Sequence, residues 1–407
     1  MAGVGRPGRL RAATAAVGVF VLVAGLIAIS WRVLRPATMI DRSARPYPRA
    51  AAFAEPTRYA SLPHAPLILD GRLRIFAEKR RVWADTAVTN KTEVNPYWAY
   101  RRWPGQVIGV VGVEPAGTHP DPVVVSQWSD GTVVGIDARS GHVAWHKRIA
   151  AHDPNGYVGR RTGARTVYDP RGLYTASTAD GTPVLVVGGQ SGAAGYDPWT
   201  GARRWHRPAA CRDRHAEWTG ATTYVARCGD RLDILDAATG QQVGSWTGPA
   251  PRPWGCALGH SGCRMVASAG ANYRLGPDGS VTPATWARSA KGFLSGDGYV
   301  DWRRDSTVRL VDAATGEVRW EAPLHGYVIG ADADFVYLVT WSHWVVALDA
   351  KTGIDRARVP VPARRDWHAG YVFARHGLVV VERVVGSPDT EDDRYYYNMT
   401  PITLLGT

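Results

Sequence analysis

Beyond residue 65 the chain alternates short apolar runs with clusters of Asp, Gly, Ser and Pro, and its period is that of strands. The clearest stretch holds four runs, at 326–331, 335–341, 344–349 and 354–360, separated by turns reading ADAD, SH and AKTG. Runs of this length, rich in Val, Tyr, Leu and Trp and bounded by turn formers, predict four antiparallel strands. No segment after residue 34 keeps the 3.6-residue apolar period of a surface helix. One earlier segment differs. The twenty residues 12–31 carry no charge, and as a helix at about 1.5 Å per residue they match a bilayer core of about 30 Å. A cleaved signal peptide has a shorter apolar core and a small-x-small site, whereas here the run is long, lacks a clean Ala-x-Ala and has no Cys after it. The reading is a cytoplasmic arm at 1–11, a transmembrane helix at 12–31 and a Pro/Ala/Arg-rich extended linker at 32–64. A folded domain then fills 65–407.

That domain repeats a phrase. It reads GIDARSGHVAW at 135–145, GYDPWTGARRW at 195–205, ILDAATGQQVG at 234–244, LVDAATGEVRW at 310–320 and ALDAKTGIDRA at 347–357. The frame is an Asp (Asp137, Asp197, Asp236, Asp312, Asp349) followed by a Gly (Gly141, Gly201, Gly240, Gly316, Gly353), with a degraded copy around Gly279. Most glycines recur at intervals of 37–39 residues, the signature of stacked supersecondary units. Each Asp ends a strand and its carboxylate can accept backbone N–H groups of the turn, while each Gly supplies positive φ for a type I turn with a bulge. Trp145, Trp205 and Trp320 follow four residues after their glycines, each offering a large apolar face for packing between units. Four short antiparallel strands per unit build a propeller blade. Six turns give six blades. Strands at 368–374, 378–385 and 395–405, completed by a front segment near 73–83, close a seventh and remove the exposed edges. Eight blades is the alternative, because 84–125 is irregular.

The D-A-x-T-G-x-x-x-W phrase resembles the PQQ-like β-propeller repeats of quinoprotein dehydrogenases and outer-membrane assembly lipoproteins. One span followed by a degenerate propeller with four Cys is similar to actinobacterial members of that family. The resemblance covers about residues 65–407 and implies an all-β propeller. Its repeated residues are structural and leave the activity open. The quinone enzymes of the family place a disulfide of adjacent Cys over the cofactor, with Glu, Asn and Asp around calcium. No two Cys are adjacent here, so no cofactor is expected.

Composition changes the picture at two points. The net charge of +12 suggests nucleic acid, yet +7 of it lies in residues 1–60 and only +5 in the rest. With no basic stripe interleaved with aromatics, nucleic acid is not an expected partner. Cysteine usage sets the compartment. Cys211, Cys228, Cys256 and Cys263 lack the short knuckle spacing of a zinc site. They read as two local disulfides, 211–228 and 256–263, which places the propeller outside the cytoplasm, at the cell membrane.

The remaining constellations carry little chemistry. A Gly-x-Gly-x-x-Gly at Gly3, Gly5 and Gly8 precedes no predicted strand–helix unit. His142 and His146 are four apart on a strand, about 13 Å and too far to share an ion. Asp389, Glu391, Asp392 and Asp393 lack the ordered spacing of a calcium loop. Glycosylation triplets begin at Asn90 and Asn398, and there is no G-x-S-x-G, H-E-x-x-H or P-loop. The expected function is a membrane-anchored extracytoplasmic binding or scaffold module for a protein or an envelope glycan. The alternative is an enzyme with its site at the propeller channel, a PQQ-type oxidoreductase or a hydrolase.

Overall fold

The computed structural model describes residues 19–26, 37–50, 58–62, 65–85, 96–149, 168–189, 191–209, 211, 214–287, 292–303, 306–361, 367–376, 378–386 and 399–405. They form eight antiparallel sheets arranged as a propeller. Blade 1 spans 67–103, blade 2 107–148, blade 3 173–208, blade 4 214–247, blade 5 252–283, blade 6 293–323 and blade 7 326–360. Blade 8 takes His368–Arg375, Leu378–Val384 and Met399–Leu405 from the C-terminal side and Arg58–Ser61 from the N-terminal side. In blades 2 to 7 the strands run in chain order from the channel outwards, while blades 1 and 8 take their outermost strands from nearer the N-terminus.

Alternation along each strand decides what a blade buries. In blade 7, Val336, Leu338, Val346 and Leu348 pack with Val300, Leu310 and Trp320 of blade 6. The intervening Tyr337, Val339, Val345 and Ala347 pack with Val379 and Val381 of blade 8. Both faces of the sheet are therefore buried, one against each neighbour. Each such side chain contributes about 1.5–3 kcal/mol of burial. The ring closes where Leu378 and Val380 of blade 8 join the core of Leu67, Leu69 and Ile75 in blade 1.

The predicted strands of blade 7 agree with Gly326–Ala331, Phe335–Thr340, Trp344–Asp349 and Asp355–Pro360 within a residue. Other expectations change. The count resolves to the alternative of eight sheets. The segment near 73–83 does not close the ring; it forms Leu73–Glu78 and Arg81–Asp85, the middle hairpin of blade 1. Blade 1 carries no copy of the Asp–Gly frame and so escapes a count of turns. Closure falls to Arg58–Ser61, paired with Met399–Leu405. The stretch read as a linker also supplies Ala37–Arg42, a fifth strand on the outer edge of blade 1. Of the predicted span only residues 19–26 are described, as a short exposed helix. No helix among the described residues is long and apolar enough to cross a membrane.

Five pairs of neighbouring blades, 1–2, 2–3, 3–4, 5–6 and 6–7, are joined at their outer rims by one recurring contact. The indole of Trp145 in blade 2 donates Nε1–H to the carbonyl of Pro198 in blade 3 at 2.9 Å. Trp205 does the same to Ala237 of blade 4 at 2.7 Å, and Trp320 to Ala350 of blade 7 at 2.8 Å. Each acceptor is the residue immediately after a turn Asp. Two members were not evident in the repeat: Trp98 bonds to Ala138 at 2.8 Å, and Trp286 lies against Gly316. Where Gly244 stands in place of Trp, its backbone approaches Gly279 directly, leaving no room for a Cβ.

Two buried ion pairs also escaped the sequence. Arg74 and Asp85 meet at 2.8 Å in blade 1 with no side-chain exposure, and Arg309 meets Asp301 at 2.6 Å in blade 6. Removing one partner of such a pair leaves a buried charge uncompensated.

Trp320→Ala should lower the unfolding free energy by about 3–5 kcal/mol, the usual range for a buried large aromatic. Val318→Ala, an exposed site on the same strand, should change it by less than about 0.5 kcal/mol. Denaturant melts of the two variants beside the parent chain check this. Equal, small shifts would remove the indole contact from the account.

Candidate functional site

The site is built from the turns. Asp312 Oδ1 accepts the backbone N–H groups of Ala314 and Thr315 at 2.8 and 2.9 Å. Asp137, Asp197, Asp236 and Asp349 repeat this with their own turn Ser or Thr, whose hydroxyls also donate to the same oxygen. The turn glycines Gly141, Gly201, Gly240, Gly279, Gly316 and Gly353 all have positive φ, between +65° and +81°. A register shift beside the turn marks the bulge, as between Leu310 and Val311. On the far side of the carboxylate an arginine closes the turn: Arg319 on Asp312, Arg204 on Asp197 at 3.1 Å and Arg356 on Asp349 at 3.0 Å. Hydrogen bonds from Thr315 N–H, then Arg319 and Ala314, hold the Asp312 carboxyl well below the usual aspartate range. These repeat residues serve the scaffold.

A concavity of about 830 Å³ forms the channel mouth on the face that carries these Asp turns. Its wall is made by the ends of the innermost strands and the loops that follow them, drawn from blades 2 to 8. The loop closed by the Cys256–Cys263 bond reaches into it. Thr175 N–H donates to Ser261 Oγ at 3.0 Å, and Thr219 N–H donates to the His260 carbonyl at 3.0 Å. Leu258 packs onto the core shared by blades 1, 2 and 8. His260 also pairs with Asp169. The loop thus braces blades 3, 4 and 5 across the mouth. The second bond, Cys211–Cys228, ties the entry of blade 4 to the end of its second strand.

The charges at the mouth are partnered. Glu114 accepts Asp70 N–H at 2.9 Å and faces Arg375 at 3.3 Å and His376 at 3.1 Å. Burial pushes the Glu114 carboxyl up, but the His376 hydrogen bond and the Arg375 charge outweigh it and hold it below the usual range. Asp332 accepts N–H from Asp334 and Phe335 and the Tyr337 hydroxyl. Among the described residues no group of three His, Cys, Asp or Glu could hold a metal ion. A quinone with calcium does not fit the mouth, because its carboxylates do not converge and its cystine closes a loop instead of joining adjacent residues. His142 lies beside Arg42, and His146 is an exposed neighbour on the same blade. The acidic run 389–393 and the triplets at Asn90 and Asn398 lie outside the described residues. The sequence missed Glu114, Asp169 and His260 as mouth residues, because they sit in the loops that vary between repeats.

The family model for outer membrane protein assembly factor BamB matches residues 52–243 and 304–396. Among solved structures the chain is similar to BamB from Moraxella catarrhalis, at 15% identity over 84% of this chain and 95% of that one, with a TM-score of 0.43. It is also similar to the C-terminal WD40 domain of Sif2, at 12% identity over 88% and 100%, with a TM-score of 0.48. The computationally designed Ika8 protein gives 12% identity over 87% and 99%, with a TM-score of 0.46. No curated protein matches the chain.

The Asp turns set an acid limit. A carboxyl whose pKa is depressed by folding contributes stability above its unfolded value and loses it as pH falls through the folded one. Asp197, Asp312 and Asp349 are all depressed from the ordinary 3.8. The melting temperature should therefore fall as pH drops below about 4. Asp312→Asn should be less stable at neutral pH and lose less on acidification. A variant that declines in parallel with the parent chain would contradict this role.

Proposed function

The chain belongs to the outer membrane protein assembly factor BamB family, and we propose that it is a binding and scaffold module for a protein partner, anchored by residues 12–31 with its ring outside the cytoplasm. The observation that carries this reading is the mouth. Seven blades contribute to a braced cavity of about 830 Å³, and the carboxylates of Glu114, Asp169 and Asp332 are already engaged within the protein. Such a surface recognises shape and charge. The two disulfides support an oxidising compartment. The uncharged run 12–31, flanked by arginines, supports the anchor.

Two measurements test the two parts. A photocrosslinking residue in place of Thr222, half-exposed at the mouth, should capture one defined protein in cells expressing the full chain. A crosslinker that captures nothing above a control on the outer rim of the ring would overturn the binding reading. For topology, Ser43→Cys should react with a membrane-impermeant thiol reagent in intact cells once any outer barrier is opened. Reaction only after lysis would overturn the external placement.

A further inference from the structure

Blades 1 to 7 are antiparallel meanders of four consecutive strands, so their first and third turns leave on one face and their second turns on the other. The Asp turns are third turns and define the first face. Ala37–Arg42 pairs antiparallel with Trp98–Trp103, with Ala37 opposite Trp103 and Arg42 opposite Trp98. Trp98 begins its strand at the Asp-turn face, so Ala37 stands at the opposite face. Only five residues, 32–36, separate Ala37 from the end of the uncharged run at Trp31. Fully extended they reach about 18 Å at most. The sequence alone implied a tether of thirty-three residues. The strand shortens it to one that keeps the ring close to whatever holds 12–31.

The chemistry of the opposite face suits that proximity. In blade 7 its second turn exposes Trp341 and Trp344, at 47% and 39%, with Tyr327 against Trp341 at 5.7 Å. In blade 1 its second turn holds Lys79, Arg80 and Arg81, and Arg80 lies 3.7 Å over the ring of Trp103, beside Ala37. Exposed Arg252 and Arg303 add to the same face. Both faces carry charges of both signs: on the Asp-turn face Arg72, Arg139, Arg204, Arg319 and Arg356 pair with aspartates, and Asp130 and Asp230 lie in second turns on the opposite face. What sets the opposite face apart is its exposed Trp pair together with the basic turn of blade 1. Exposed Trp and clustered Lys/Arg are what an interface of anionic headgroups takes up.

We propose that the face opposite the Asp turns lies against an anionic bilayer surface, with Trp341, Trp344 and the turn of Lys79, Arg80 and Arg81 as its contact groups. The proposal rests on the reading of 12–31 as the anchor. It leaves the channel mouth pointing away from the membrane, towards a partner.

The test uses the full chain in vesicles of phosphatidylcholine and phosphatidylglycerol with an acceptor dye on the headgroups. All four described cysteines are paired, so an introduced Cys is the one free thiol. A donor dye goes on Ser342→Cys in one sample and on Lys351→Cys, the third turn of the same blade, in another. Six-residue strands separate the two faces by about 20 Å, so energy transfer from position 342 should exceed that from 351 roughly twofold or more. Trp341→Ser with Trp344→Ser, or omission of phosphatidylglycerol, should bring the two values together. Equal transfer, or more from 351, in chains that float with the vesicles would overturn the orientation and leave the anchor standing. Chains that do not float with the vesicles would overturn the anchor, and this proposal with it.

Discussion

The structure depends on an indole set against a backbone carbonyl. Each propeller blade is a small sheet with two apolar faces, and a stack of such sheets could slide or splay. The Trp–turn contact fixes the offset between neighbours, because the donor Nε1–H must meet the carbonyl immediately after the Asp. The acceptors Ala138, Pro198, Ala237 and Ala350 hold the same place in four turns. The Gly at the end of each turn admits the ring itself. A Cβ on Gly201 would stand 2.6 Å from Trp145, and one on Gly353 would stand 2.7 Å from Trp320. The Asp shapes the turn, the Gly clears it and the previous blade's Trp fills it. The motif is one joint shared by two blades.

Two departures in blades 4 and 5 obey the same logic. Blade 4 has Gly244 in the Trp position and meets the degraded turn at Gly279 by backbone approach. In blade 5 the Trp moves three places along, to Trp286, and still reaches Gly316. Blade 4 joins blade 5 without a rim indole on the turn, and Trp218 and Trp246 pack with Tyr273 and Leu275 in the core the two share. That is where the Cys256–Cys263 loop crosses the mouth and binds Thr219 and Thr175. The bracing loop shapes the cavity and ties blades 3, 4 and 5 together at the mouth.

The fold was legible because its determinants recur. Asp312, Gly316 and Trp320 appear in one short phrase, and its repetition fixed the strand order and the blade. Blade 1 was less legible, since Trp98 serves the joint without an Asp–Gly frame in its own blade. Arg74 and Asp85 look in sequence like the polar positions of an exposed strand, although they neutralise each other with no exposure. The closing strand Arg58–Ser61 is four residues inside a Pro- and Ala-rich stretch, and its partner decides its conformation. The mouth was least legible. Glu114, His376 and Asp70 converge from blades 2, 8 and 1, a meeting that ring closure creates and no local pattern announces. Function rests on that non-repeated part.

The joint itself can be measured by a double-mutant cycle on Trp205 and Gly240. Gly240→Ala places a Cβ 2.6 Å from the indole and also strains a residue at φ +68°. The strain is present with or without Trp205 and cancels in the cycle, so the coupling reports the contact alone. If the indole seats on the turn as described, the two substitutions should be less than additive by about 1–3 kcal/mol. Additivity within about 0.5 kcal/mol would mean that the ring and the turn act independently, and the shared joint would be contradicted.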